Sequence, residues 1–169
     1  MLGRVVNVAS TQTGKQAGEV GWRVRTQASV TVPYSADQVF GYLERVANET
    51  QWRQSIVGSR YVGTELPAVG VDGETDVAMG PKSLTMRWTI HEFTPGQHVA
   101  WTLDGEPWNG GGSYTVRPTE GGTEVVARLQ VKLKGVARLL EPIVGLQFAK
   151  GLRTDLRQFE LALAASLGD

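Results

Sequence analysis

Cysteine is absent from all 169 residues. Disulfide frameworks, thiolate nucleophiles and cysteine-ligated metals are excluded with it. Histidine is scarce: His91 and His98 are the only two, so a three-histidine metal centre cannot form. An excess of one charge is missing as well. Seventeen Lys and Arg balance seventeen Asp and Glu, which leaves no general positive surplus of the kind that holds a protein to nucleic acid. Long apolar runs are lacking too. No stretch approaches the ~20 apolar residues that span a bilayer, and the N-terminal MLGRVVNVAS has no apolar run suited to a signal peptide. The expectation is a cytoplasmic chain with no integral membrane segment, no metal, no cofactor and no nucleic-acid partner. Oligomeric state is left open by the sequence.

What is present is ordinary for a globular protein: 41% apolar and 20% charged residues, in a length that fits one domain. Residues 1–21, rich in Gly, Ser, Thr, Gln and Val, show no helical period and read as a tail or a loosely attached extra strand. The domain proper is expected over 22–169. Residues 22–32 alternate in their second half, with Ala28, Val30 and Val32 on one side, as in a half-buried strand. Pro33 ends it. Ser35 with Gln38 forms an S-x-x-Q capping box, opening a helix whose apolar face is Val39, Phe40, Leu43 and Val46. A second short helix is expected over 47–52.

Six segments of strand character follow, at roughly 55–65, 71–79, 83–94, 97–104, 111–118 and 123–134. Gly80-Pro81, Thr94-Pro95-Gly96 and Glu120-Gly121-Gly122 punctuate them with turn chemistry. Alternation at Leu84, Met86, Trp88 and Ile90, at Val99, Trp101 and Leu103, and at Val125 through Leu133 indicates antiparallel strands buried on one face. From about 136 to 167 the period becomes helical: Leu140, Val144, Phe148, Leu152, Leu156, Phe159 and Leu163 recur at three- and four-residue spacing. Pro142 suits a first helical turn, and a helix from there to the end spans about 40 Å. Strand, two helices, six strands and one long helix make a two-layer α+β fold.

Four signatures occur in order: VTVPYSADQVF at 30–40, Trp52 in QWRQSIV, PTEGGTEVV at 118–126, and Asp155-Leu156 with Phe159-Glu160 near the end. With this element order the chain resembles the polyketide cyclase/dehydrase and lipid transport group of the START-like (SRPBCC) superfamily. The resemblance covers about residues 24–165. It implies a helix-grip fold, in which a curved antiparallel sheet of about seven strands wraps a long C-terminal helix, and a cavity between them for a small hydrophobic molecule. Cyclases, ligand carriers and quinone-binding chaperones share that fold, so fold alone does not assign activity.

Strand parity directs Val77, Met79, Met86, Trp88, Trp101, Leu103, Tyr114, Val116 and Leu129 toward the helix. Helical period directs Leu140, Val144, Phe148 and Leu152 back. These residues and Trp52 are the expected ligand-binding set, although a filled core would show the same alternation. Trp52 reads either as a gate or as a wedge between short helix and sheet. Arg53 reads as an anchor for an acidic ligand group or, more plainly, as a solvated surface residue. His91 falls out of phase with Trp88 and Ile90 and points outward, as does Arg87, and His98 begins a strand beside a Pro-Gly turn. Asp104, Glu106, Trp108 and Asn109 sit in DGEPWNGGG, read as a lid or a plain hairpin loop. Tyr114 is the main inward polar group. Gly145 and Gly151 mark close approaches or bends in the long helix. The leading expectation is a binder of a lipid, polyketide or quinone-like molecule. An aromatase/cyclase using Tyr114, Arg53 and Trp52 is the alternative, and a protein-interaction module on the same fold is the third.

Overall fold

The computed structural model describes residues 24–104 and 108–168, with backbone alone for Met79, Asp104, Trp108 and Ala137. The expected tail or extra strand over 1–21 lies outside the described residues.

Strand β1 (Val24–Val32) buries alternate residues and leads through Pro33 to the cap at Ser35. There the Gln38 N–H donates to Ser35 Oγ at 3.3 Å while Gln38 Oε1 accepts from the Ser35 N–H at 3.0 Å. This reciprocal bonding satisfies two of the backbone donors left open at the helix start. Helix α1 (Ala36–Leu43) buries Val39, Phe40 and Leu43. Val46, expected on the same face, belongs instead to a 3₁₀ turn, Val46–Asn48, which leads into the single-turn helix α2 (Glu49–Trp52).

Six strands follow: β2 (Ile56–Tyr61), β3 (Asp72–Met79), β4 (Lys82–Thr94), β5 (His98–Asp104), β6 (Trp108–Thr119) and β7 (Gly122–Leu133). They form one antiparallel sheet in the order β1-β7-β6-β5-β4-β3-β2. Consecutive strands pair as hairpins, and β1 returns to the far edge beside β7. The β6–β7 turn needs glycine for a steric reason. Gly122 has φ 125°, and a Cβ there would lie 2.1 Å from the Val32 carbonyl oxygen. A 3₁₀ turn (Gly135–Leu140) then delivers the chain to α3 (Glu141–Leu167), which lies against β1 and α2. The result is the expected helix-grip arrangement. Among the described residues no helix is long and apolar enough to cross a membrane.

The glycine-rich stretch differs from expectation. β6 begins at Trp108, so Asn109 and Gly110, ahead of the strand expected from 111, are strand and not lid or loop. Glycine has low strand propensity, which disguises the element. Its role here is clearance. A Cβ on Gly111 would sit 2.5 Å from the Trp101 carbonyl oxygen, and one on Gly112 would sit 2.6 Å from the Trp101 indole.

The core fills one end of the grip. Val30, Val32, Val116 and Val125 from the sheet meet Val39 and Phe40 of α1 and Leu152, Leu156, Phe159 and Leu163 of α3. The opposite, convex side of β2–β4 carries charge: Arg60 pairs with Glu74 at 2.5 Å and with Asp76 at 2.9 Å, and Arg87 pairs with Glu74 at 3.2 Å. Sheet polarity therefore orients the apolar face toward the helix.

Candidate functional site

Away from the filled end, the grip is hollow. A cavity of about 190 Å³ lies between β2–β7, the α1–α2 region and Phe148 of α3. Gly110 and Gly111 of β6 form part of its wall. On the inward face, Leu103 and Val131 flank Gly110, and Trp101 and Leu129 flank Gly112. Two adjacent inward positions thus carry no side chain, and their neighbours lean over them: a Cβ on Gly110 would lie 3.6 Å from Leu103 and 3.7 Å from Val131, and one on Gly112 would lie 3.0 Å from Leu129. The Trp101 indole lies over Gly112, and the Trp88 indole covers Gly73, where a Cβ would fall 2.1 Å from the ring. Both indoles thereby reach across to the neighbouring strand.

Eight of the residues expected to face a ligand border this cavity: Val77, Met86, Trp88, Trp101, Leu103, Tyr114, Leu129 and Phe148. Five others are placed elsewhere. Trp52 is buried as a wedge, its ring edge-on to Tyr114 at 5.8 Å and to Phe159 at 5.3 Å. Val116 and Leu152 belong to the filled core. Val144 packs with Val24, Val131 and Leu133. Leu140 is exposed, because residues 135–140 form a 3₁₀ turn of three residues per turn, and the 3.6-residue phase linking Leu140 to Val144 is broken. The Met79 side chain lies outside the described residues.

Sequence parity also misses some of the lining. Phe93 borders the cavity although Ile90 does too. A β-bulge between Ile90 and Glu92 absorbs His91, so the inward phase changes from even to odd numbers. His91 itself is exposed, as expected. His98 is half-buried, with Nδ1 2.8 Å from Thr115 Oγ1. Gly145 lies close to β1, its would-be Cβ 3.3 Å from Val24.

One end of the cavity is polar. Glu49 and Arg53, one helical turn apart, are both largely buried, with Arg53 Nη1 donating to Glu49 Oε1 at 3.0 Å. The same carboxylate oxygen accepts from the Tyr114 hydroxyl at 3.3 Å. Asp155 of α3 closes the group, its Oδ2 3.9 Å from Arg53 Nε and its Oδ1 accepting from the Gln54 N–H. The solvated reading of Arg53 is corrected: its side chain is 19% exposed. The i, i+4 spacing of Glu49 and Arg53 is the available signal, but a four-residue helix is too short to show a period. On the facing strands, Trp88 Nε1 donates to Thr75 Oγ1 at 2.9 Å, which lies 3.1 Å from Ser59 Oγ.

Burial opposes the Arg53 charge, but Tyr114, Glu49 and Asp155 outweigh it, and its pKa is raised. Burial also pushes Asp155 above the usual carboxylate value, with Arg53 opposing. Tyr114 and Tyr61 are raised chiefly by burial, well above the ordinary 10.0. A raised folded-state value means that these neutral phenols support the fold below pH 10, and that the support is lost as pH rises through the raised values. Alkaline titration is therefore expected to show Tyr61 and Tyr114 ionising together with the loss of circular dichroism. Independent ionisation of all four tyrosines near their ordinary value, with the fold intact, would contradict this placement.

A curved sheet gripping a helix, filled at one end and hollow at the other, defines a cavity-bearing helix-grip protein. The family model described as polyketide cyclase/dehydrase and lipid transport matches residues 23–167, and the chain belongs to that family. No curated protein matches the chain by sequence. Among solved structures, TTHA0849 from Thermus thermophilus is similar at TM-score 0.71 and 14% identity, over 84% of this chain and 98% of that one. NE0264 from Nitrosomonas europaea is similar at TM-score 0.68 and 16% identity, over 86% and 97%. The di-domain ARO/CYC StfQ of the steffimycin biosynthetic pathway is similar at TM-score 0.69 and 14% identity, over 86% of this chain and 52% of that one.

Proposed function

We propose that this protein binds a small hydrophobic molecule, with one ring system, in the cavity between β2–β7 and α3. The observation that carries the reading is a largely apolar hollow, walled by Trp88, Trp101, Met86 and Leu129, that ends on the buried Glu49–Arg53–Tyr114 group. Apolar walls with a few convergent polar groups are the usual make-up of a small-molecule site. An apolar cavity of about 150 Å³ takes up benzene, so about 190 Å³ suits a ring with short substituents or two fused rings. The ligand's polar atom would meet the Glu49–Arg53 end, and its flat face would lie along the indoles.

Titration with 1-naphthol, followed by quenching of tryptophan emission, tests this. Saturable one-to-one binding is expected, weakened at least about tenfold, or 1.4 kcal/mol, in Met86→Trp, where the larger ring occupies the hollow. Absence of saturable binding across a panel of naphthols, quinones and short fatty acids would reject the reading.

A second reading is supported by the likeness to an aromatase/cyclase and by the buried hydroxyl of Tyr114: the cavity folds a reactive polyketide chain and a polar group moves a proton. Of the three residues suited to that role by sequence, Arg53 and Tyr114 border the cavity and Trp52 does not. Turnover of a poly-β-ketone surrogate that is lost in Tyr114→Phe, with naphthol affinity retained, would favour the enzyme over the carrier.

A further inference from the structure

Five aliphatic side chains stand out to solvent within eleven residues of chain: Val136 (89% exposed), Leu139 (85%), Leu140 (53%), Ile143 (58%) and Leu146 (75%). Scattered exposed leucines are ordinary, but a contiguous group marks an interaction surface. The group spans the 3₁₀ turn and the first turns of α3. Ile143, Leu146 and Lys150 share the outward helix face at i, i+3 and i+7, while Val144 and Phe148 pack inward against Val24, Val131 and Leu133. The helix is therefore apolar on both sides here, and one side meets water.

The charge around the group is one-sided. From 132 to 157 the basic residues are Lys132, Lys134, Arg138, Lys150, Arg153 and Arg157, against Glu141 and Asp155. Both acidic groups are turned inward: Glu141 is buried and accepts from the Leu133 N–H, and Asp155 faces Arg53 and Gln54. The exposed charges, Arg138, Lys150 and Arg157, are all positive, in a chain whose net charge is zero.

We propose that the segment from Gly135 to Lys150 docks this protein onto the surface of an anionic lipid bilayer. Aliphatic side chains would enter the acyl boundary while the flanking Arg and Lys meet headgroup phosphates. Charge complementarity selects this occupant. Residues 1–23 carry Arg4, Lys15 and Arg23 against Glu19, so folding them over the patch sets positive on positive. A second copy related by a two-fold axis does the same. Protein contacts concentrate energy in Trp, Tyr and shaped pockets; this surface offers aliphatic groups only, which suit a fluid apolar phase. The docking proposal stands apart from the ligand reading. The two meet at Phe148, which borders the cavity from the inward side of the same helix.

Flotation with phosphatidylcholine vesicles, with and without phosphatidylglycerol, tests it. The full chain is expected to float with the anionic vesicles at low salt, and at least about tenfold less with neutral vesicles or at high salt. The double variants Leu139→Asp/Leu146→Asp and Arg138→Glu/Lys150→Glu, all at exposed positions, are expected to lose flotation while keeping the parent melting temperature and 1-naphthol affinity. Failure of the parent to float, or flotation unchanged in both variants, overturns the proposal. A dimer in light scattering that dissolves in Leu139→Asp/Leu146→Asp assigns the face to a second copy. Retention on immobilised polyglutamate without flotation assigns it to an acidic protein. Either result overturns lipid docking, and loss of naphthol binding alone touches the ligand reading and not this one.

Discussion

Replacing Phe159 by alanine is expected to destabilise the protein by about 3–5 kcal/mol. The ring is fully buried, at 0% exposure. It stands edge-on to Tyr42 at 5.7 Å and to Trp52 at 5.3 Å, so one side chain of α3 locks both short helices. Each such aromatic pair adds roughly 0.5–1.5 kcal/mol beyond burial, and the surrounding close-packed end of the grip has little freedom to collapse into the gap. Against a usual total of about 5–15 kcal/mol, this is a large share. Urea unfolding followed by circular dichroism should show the midpoint fall with the slope unchanged, and the melting temperature should drop by about 6–20 °C. Phe148→Ala is the control. That ring is half-buried and borders the cavity, so it has fewer partner atoms to lose and its removal should cost clearly less. Equal costs at the two positions would mean that the two ends of the grip are packed alike.

That contrast between the ends explains what the sequence can and cannot disclose. Alternation at Met86, Trp88 and Ile90, or at Val99, Trp101 and Leu103, states which face a residue takes, because side chains in a strand alternate by geometry. It does not state whether the space beyond is occupied. Val116 and Leu129 both point inward, yet one is packed in the core and the other borders the hollow. Their cross-strand partners differ as well: Val116 pairs with Val125, whereas Leu129 pairs with Gly112. The inward glycine at 112 leaves room for the Trp101 and Leu129 side chains to lie over β6, and composition hides this by making a strand look like a loop. Capping chemistry is fully legible, since Ser35 and Gln38 act within one turn. The bulge at His91 is not, because a bulge depends on the partner strand. The burial of Arg53 is hidden for a similar reason. Its partners Tyr114 and Asp155 come from β6 and α3, and no local spacing announces them.

Arg53→Met is expected to cost about 3–5 kcal/mol at neutral pH, the usual penalty for removing one partner of a buried ion pair. Glu49 Oε1 would keep the Tyr114 hydroxyl at 3.3 Å but lose the guanidinium at 3.0 Å, leaving a carboxylate beside Trp52 and Tyr114 without its counter-charge. The loss should depend on pH through Asp155. Its folded-state pKa already lies above the ordinary 3.8, with burial raising it and Arg53 opposing. A raised carboxyl supports the fold below 3.8 and withdraws that support as pH rises through the folded value. Removing Arg53 lets that value climb further, so the variant's deficit should be smallest in acid and widen toward neutral pH. Combining Arg53→Met with Glu49→Gln separates the pair from the rest. Glutamine still accepts from Tyr114 but carries no charge, so the double variant should be more stable than Arg53→Met alone. Their coupling, read from urea unfolding of the parent, both single variants and the double, should exceed about 1 kcal/mol. Strict additivity would show that the guanidinium is held by Asp155 and solvent instead, and that the polar end of the cavity is two separate groups.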